Sequence, residues 1–505
     1  MFASVLTSAI QGMEVIPVQV EADVSDRLPV FIMVGYATAQ VKEVQDRVRT
    51  ALKNNGLSLP PKRITVNLAP ADIRKEGSGF DLPVAASVLC AAGVIDAASL
   101  RNVLVVGELS LNGEIQPVSG ILPRVVHARE TGCRYCMIPY GNLEEGLLVK
   151  DMKVIGVRNL SELIYYLEKP EEFRLPDNRL PQNTEKTAPT VDFSEILGQQ
   201  GARRAAEIAV SGFHNLLFSG PPGSGKTMIA KRIPTIMPEL SFEESLELTK
   251  IYSIAGLLSR EDPLIRTRPF RSPHHTSSQA ALAGGGRIPG PGEVTLAHRG
   301  VLFLDEIPEF RRESLEILRQ PLEDKSICIS RANGRYRFPA NFMLVAAQNP
   351  CPCGFYPDMS RCTCTREQIS RYMARVSQPL LDRIDLCVSI PAVTFEQMLS
   401  AGKGESSESI RKRVERTQKI QEARYRGESI CFNAELSGRQ IGKYCVTDEE
   451  AKDLLEKAFR KIEFSARSYH KILRVARTIA DMEECREIRK EHVAEALTYR
   501  PFEKR

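Results

Sequence analysis

Gly220-Pro221-Pro222-Gly223-Ser224-Gly225-Lys226-Thr227 is the stretch whose reading decides the fold. It matches G-x-x-x-x-G-K-[ST] at every fixed position. Leu216-Leu217-Phe218 before it is short, apolar and strand-like. Met228 to Ile233 after it carries helix formers, and Pro234, lacking an N–H, is expected to end that helix. Strand, glycine loop and helix in that order form a phosphate-binding turn. Glycines let the backbone fold around phosphate oxygens, so that successive N–H groups and the helix N-terminus face the anion. Lys226 supplies a point charge to the outer phosphates, and the Thr227 hydroxyl is a magnesium ligand. Residues Gly220 to Thr227 are therefore expected to bind ATP with Mg2+.

Downstream, Val301-Leu302-Phe303-Leu304 runs into Asp305-Glu306. Four apolar residues before two acids describe a buried strand that delivers Asp305 to the magnesium shell and Glu306 to the attacking water, as phosphoryl transfer to water needs. A third apolar run, Phe342 to Ala347, ends at Gln348-Asn349. Alternating strands and helices predict an α/β domain with a parallel sheet around the glycine loop.

Just past Asn349, Pro350-Cys351-Pro352-Cys353-Gly354 and Arg361-Cys362-Thr363-Cys364-Thr365 hold two C-x-C pairs with eight residues between them. Four thiolates make a tetrahedral zinc set. Four reduced thiols on a loop are the other reading, and zinc is the expectation. Between the loop and the acidic strand lie Arg268-Pro269-Phe270-Arg271-Ser272-Pro273-His274-His275-Thr276, Gly284-Gly285-Gly286 and Pro289-Gly290-Pro291-Gly292-Glu293. Adjacent histidines rarely ligate one ion together, so His274 and His275 are expected to hydrogen-bond. The Gly- and Pro-rich make-up predicts mobile loops.

Residues 1–168 alternate strand-like and helix-like stretches. Strands are predicted at Val15–Val20, Val30–Val34, Ile64–Leu68, Val103–Leu109 and Arg134–Ile138, and helices at Gln40–Leu52 and Leu82–Ala92. Cys133 and Cys136 fall in a strand-like run, where alternation puts them on opposite faces and favours buried thiols over a redox pair. Residues 169–190 hold four prolines and little apolar pattern, and read as a linker. Residues 191–395 form the nucleotide-binding core, and 396–505 read as helical. Ser407 to Arg426 is rich in Arg and Lys; a solvated helix face and DNA contact explain that run equally well.

Composition agrees with a globular chain of about three domains, given 505 residues, 43% hydrophobic and 26% charged. A net charge of +5 neither demands nor excludes nucleic acid. No apolar stretch approaches the roughly 20 residues of a membrane span, and Met1 to Gly12 is too short for a signal peptide. A cytoplasmic location without membrane contact is expected.

Several of these segments resemble known families. Phe193-Ser194-Glu195-Ile196-Leu197-Gly198-Gln199 before an Ala-rich helix, the glycine loop and the acidic strand together look like an AAA+ ATPase core. That resemblance implies a sensor 1 role for Asn349 and an arginine finger at Arg383 within Leu380-Leu381-Asp382-Arg383-Ile384-Asp385-Leu386. An intrachain salt bridge of Arg383 with Asp382 or Asp385 is the alternative. Ser465-Ala466-Arg467 is similar to the sensor 2 motif of chelatase-like lids, which implies that Arg467 touches nucleotide and that 396–505 is a helical lid. The insert and its closing Ala297-His298-Arg299-Gly300 resemble the ComM/YifB family of magnesium-chelatase-like ATPases, with insert loops facing the pore of a ring.

Lys75-Glu76-Gly77-Ser78-Gly79-Phe80-Asp81-Leu82-Pro83 and Gly107-Glu108-Leu109-Ser110-Leu111-Asn112-Gly113-Glu114-Ile115-Gln116-Pro117-Val118 look like the Lon protease domain, a second α/β unit. The serine of the Lon dyad falls on Gly79, with Ser78 one residue early. Its lysine falls near Leu122, and the nearest basic group, Arg124, stays protonated and makes a poor base. The fold is expected without the protease. The family resemblance implies a homo-oligomer, a hexamer by expectation, that acts as an ATP-driven motor on single-stranded or branched DNA, with branch migration during natural transformation as its setting. A chelatase-type protein remodeller or metal-insertion ATPase working with a partner subunit is the alternative, although no D-x-S-x-S metal pattern occurs in the chain.

Overall fold

A computed structural model describes residues 1–35, 43–72, 75, 77–175, 191–286, 289–331, 334–392, 404–462 and 465–500. The start of the helix expected at Gln40, Glu76 of the Lon-like motif, most of the expected linker, Arg287 of the insert and the expected boundary at 395/396 lie outside the described residues.

The amino-terminal sheet is built from β1 (Phe2–Gln11), β2 (Glu14–Ser25), β3 (Val30–Val34), β4 (Arg63–Ala69), β5 (Val103–Val105), and, beyond the small pair β6 (Glu108–Leu109) and β7 (Ile115–Gln116), β8 (Tyr135–Pro139) and β9 (Val154–Val157). Its order is β3-β4-β2-β1-β5-β8-β9. β1 was not expected from the sequence; it pairs antiparallel with β2 along its whole length. The run expected as one strand from Val103 to Leu109 breaks at Val106-Gly107, because Gly107 N–H leaves the sheet to donate to the Gly79 carbonyl. Cys133 lies ahead of β8 rather than in it, so the expected two-face placement of Cys133 and Cys136 does not hold. Only Cys136 is buried, and burial pushes its thiol pKa up. The helix Asp81–Ala91 is buried at every residue and packs across β1 and β2. At the Lon-like motif, a Cβ built on Gly79 would lie 4.0 Å from the guanidinium of Arg124, which is itself buried and donates to the Ser8 carbonyl.

The second sheet is β11-β14-β17-β10-β18: β10 (Leu216–Ser219), β11 (Phe270–Arg271), β14 (Val301–Leu304), β17 (Met343–Gln348) and β18 (Leu386–Ser389). All five strands are parallel. Two hairpins stand off it, β12 (Gly284–Gly285) with β13 (Gly290–Pro291), and β15 (Ser326–Arg331) with β16 (Gly334–Pro339). The unbroken apolar runs of the sequence follow from burial on both faces. Phe218, Phe303 and Val345 point into one core, while Leu217, Leu302, Leu304 and Leu344 point into the other. The first core is continuous with Ile472, Leu473, Ala476 and Val493 of the carboxy-terminal helices.

Two expectations need correction here. The helix after the glycine loop runs Lys226–Ile236, straight through Pro234. Proline removes only its own N–H bond, and two residues remain before the helix ends, so the last turn survives. The insert is also not all loop. Phe270–Arg271 is the edge strand of the sheet, and Arg268 is held by the carbonyls of Pro238 (2.6 Å) and Arg299 (2.8 Å). His274 Nδ1 lies 2.9 Å from Thr276 Oγ1, the hydrogen-bonding role expected for it, while the His275 ring packs beside His274 and Phe310.

The two sheets are joined through the helix Phe242–Ala255. The helix Ile121–Glu130 packs against it, and Gly120 N–H donates to the Ser253 carbonyl (3.0 Å). Glu145, only 7% exposed, accepts from Leu122 N–H (2.9 Å) on one side and the Ser253 hydroxyl on the other.

Candidate functional site

β10 ends at Ser219, and the chain turns through Gly223 (φ +74°) and Gly225 (φ +90°) before the helix begins at Lys226. Both glycines are left-handed and nothing lies within 4 Å of where a Cβ would be, so the loop faces open space. Gly220 is needed for a different reason: a Cβ there would run into the Ile390 carbonyl at the end of β18.

Lys226 is 8% exposed. Its ammonium donates to the carbonyls of Gly220 (2.6 Å) and Pro221 (2.9 Å) and to Asn349 Oδ1 (3.1 Å), three neutral oxygens. Burial pushes its pKa below the usual lysine value, and the charges of Asp305 and Glu306 offset part of that. Thr227 Oγ1 donates to Asp305 Oδ2 (2.7 Å). Asp305 Oδ1 accepts the Glu306 N–H (3.0 Å), which holds Glu306 in a left-handed conformation (φ +50°) with its side chain exposed. Loop, helix start, β14 end and β17 end thus meet in one place, with Lys226, Thr227, Asp305, Glu306 and Asn349 in it.

Arg383 and Arg467 lie in a second group. Arg383 pairs with Glu323 and donates to the Pro379 carbonyl, rather than pairing with Asp382 or Asp385. Its side chain is 12% exposed. Arg467, in the first turn of the helix Ala466–Met482 with Ser465 as N-cap, donates to Asp382 (3.1 Å). Asp385 instead lies 3.3 Å from His214 Nδ1 and accepts the Asn215 N–H (3.4 Å). Burial pushes the Asp385 carboxyl up, but His214, Arg474 and Lys471 outweigh it and the pKa falls below the ordinary carboxylate value.

The sequence reading missed Asn215. Its side chain donates to the Arg383 carbonyl (2.8 Å) and accepts the Leu344 N–H (2.8 Å), which ties the segment carrying Arg383 to the strand that leads into Asn349. No local pattern marks such a residue. Also missed was Tyr372, whose phenol pKa is pushed up to about 12 by burial and by the charges of Glu309 and Glu306. Arg413 and Arg424 of the basic helix are spoken for within the chain, pairing with Glu207 (2.6 Å) and with Asp481. The two C-x-C pairs converge, and their four Sγ atoms lie within 4.8 Å of one another.

ATP and Mg2+ fit these residues. The Ser224 hydroxyl is buried without a partner among the described residues, the lysine charge meets no carboxylate among its hydrogen-bond partners, and two magnesium-type ligands, Thr227 and Asp305, already touch.

The model for magnesium chelatase subunit ChlI matches residues 192–398. A second model of the ChlI subunit matches 20–142, and the ChlI carboxy-terminal model matches 404–500. Competence protein ComM of Haemophilus influenzae is 42% identical over 503 residues, 99% of this chain and 97% of its own length. The chain belongs to the ComM/YifB family of magnesium-chelatase-like AAA+ ATPases. YifB of Salmonella typhimurium is 41% identical over 504 residues, again 99% and 97%. Lon protease 2 of Bacillus subtilis is 29% identical over 235 residues, 41% of this chain and 42% of its own length. Family membership carries ATPase chemistry with ATP and Mg2+. No helix among the described residues is long and apolar enough to cross a membrane.

Proposed function

We propose that this chain is an ATP-hydrolysing ring motor that acts on DNA in the cytoplasm, with branch migration or unwinding of recombining strands during natural transformation as its task. The observation that carries the DNA reading is the 42% identity, across 99% of the chain, to a protein named for competence.

In this reading Lys226 and the backbone N–H groups of Gly223 to Thr227 bind the outer phosphates. Thr227 and Asp305 would hold Mg2+, which would supply positive charge where negative charge builds up on the departing ADP. Glu306, exposed and held only through its backbone, accepts a proton from the attacking water. Asn349 orients that water once Lys226 Nζ turns from its side-chain oxygen toward phosphate. Arg383 faces Glu323 rather than the phosphate loop of its own chain, which supports a finger role in a neighbour's site within a hexamer. Arg467 would reach nucleotide by exchanging Asp382 for phosphate.

The match to chelatase subunit models over 192–398 favours one second reading, a remodeller or metal-insertion ATPase with a partner subunit. Measuring ATP hydrolysis with single-stranded, duplex and branched DNA separates the two. Branched or single-stranded DNA should bind and raise the rate, and affinity should fall steeply with salt because lysine and arginine contacts release counterions. No binding at low salt and no change in rate, with stimulation by a partner protein instead, would transfer the assignment to the remodeller.

A further inference from the structure

The cysteine cluster lies outside the nucleotide-binding residues yet touches them. Cys351 follows Asn349 by two residues and is fully buried. Its Sγ lies 3.3 Å from that of Cys353 and 3.8 Å from that of Cys362, and Cys353 and Cys362 are 3.6 Å apart. Cys364 completes a set of four sulfurs, all free thiols. A tetrahedral zinc thiolate with bonds of about 2.3 Å has sulfur–sulfur edges of about 3.8 Å, so the thiols already stand near the corners of such a tetrahedron. The Tyr356 N–H points at Cys351 Sγ (3.4 Å), the kind of contact that steadies a metal-bound sulfur. The soft, all-sulfur donor set selects zinc over magnesium or calcium.

Both ends of this knuckle lead to the ATP site. Gly354, inside the first turn (φ +85°), sits so close to Pro222 of the phosphate loop that a Cβ would collide with the proline ring. After Cys364, Thr365 caps the helix Arg366–Met373, which carries Tyr372 toward Glu306 and Glu309. A free loop of this length would cost backbone entropy to hold in such a shape, and a metal crosslink removes that cost.

We propose that Cys351, Cys353, Cys362 and Cys364 bind one zinc ion, and that this ion braces Asn349 and the Pro222 turn of the phosphate loop against one another. The bracing half rests on the ATPase reading above; the metal half does not.

The test begins with protein purified without chelator. Elemental analysis should find one zinc per chain, and joint replacement C351S/C353S should remove it. Because that variant could misfold, parent protein is also titrated with a mercurial thiol reagent, which should release the zinc to a chromogenic chelator; once excess dithiol has stripped the mercurial and been removed, reloading the freed thiols with cobalt(II) should give the red-region bands of tetrahedral thiolate coordination. Fluorescent ATP analogue should bind about tenfold more weakly to zinc-free than to zinc-loaded protein. Absence of zinc together with absence of the cobalt spectrum overturns the metal site, whatever the ATPase rate. Zinc present with equal nucleotide affinity in both forms overturns the brace. Zinc present in a protein that hydrolyses no ATP would instead refute the ATPase reading and leave the metal site standing.

Discussion

Replacing Glu306 by glutamine should stop ATP turnover while leaving nucleotide binding and the fold intact. Removal of a general base costs about 10²–10⁴ in rate, or about 2.7–5.4 kcal/mol of barrier at 1.36 kcal/mol per decade. The structure makes this a clean perturbation. Glu306 is exposed, and its hydrogen bonds among the described residues are made by its backbone, the N–H to Asp305 and the carbonyl from the Glu309 N–H (2.8 Å), so glutamine can keep both bonds and the same conformation. Nearby Glu309 is instead paired with Arg375 at 2.8 Å. A companion variant separates chemistry from strain. Glu306 sits at φ +50°, which costs a non-glycine residue about 1–2 kcal/mol. E306G should therefore be as inactive as E306Q but more stable, with a raised melting midpoint. Steady-state phosphate release gives the rates, fluorescent-nucleotide titration the affinity, and thermal unfolding the stability. Near-parent hydrolysis by E306Q would refute the assignment of the base. A melting point lowered by E306G would refute the claim that the loop stores strain.

Arg383→Ala should bind nucleotide as the parent does yet hydrolyse it poorly, and mixing it with Lys226→Ala should restore part of the activity; mixed rings that never gain activity, with mixing shown by crosslinking, would rule out a shared site. Glu247 accepts from Arg299 (3.1 Å) and lies 3.2 Å from His298 Nε2; the nearness of His298 is the main cause of a carboxyl pKa of about 2, below the ordinary 4.5, with Arg299 adding to it. A depressed folded-state value means the stabilisation is present above about pH 4.5 and is lost as pH falls toward 2. Urea unfolding should accordingly show a shallower acid loss in Glu247→Gln than in the parent, and identical slopes would count against the pairing.

The parts of this protein legible from sequence are those whose chemistry demands contiguous residues. A phosphate cradle needs glycines, a lysine and a hydroxyl within one turn, so Gly220 to Thr227 shows itself in eight letters. The acidic strand end shows itself in the same way, and two-faced burial of a parallel sheet leaves apolar runs that even a single sequence displays. Pro234 misled because a rule about helix interiors was applied to a last turn. The insert misled because glycine and proline mark turns without saying which short segment between them will join a sheet edge.

Other features depended on residues far apart in the chain. Lys226 and Asn349 meet across 123 positions, and Asn215 ties Leu344 to Arg383 across 129 and 168. Which carboxylate an arginine finds is settled by what the fold carries past it. That is why Arg383 faces Glu323 instead of its sequence neighbours, and why the basic helix spends Arg413 and Arg424 on internal acids. The buried Glu145 between the two sheets belongs with these. Residue type and spacing by themselves marked out the glycine loop, the acid pair and the four-thiol set as candidates. Only tertiary structure decided their partners, because an ion pair or a buried hydrogen bond between distant segments leaves no periodic trace in the chain that forms it.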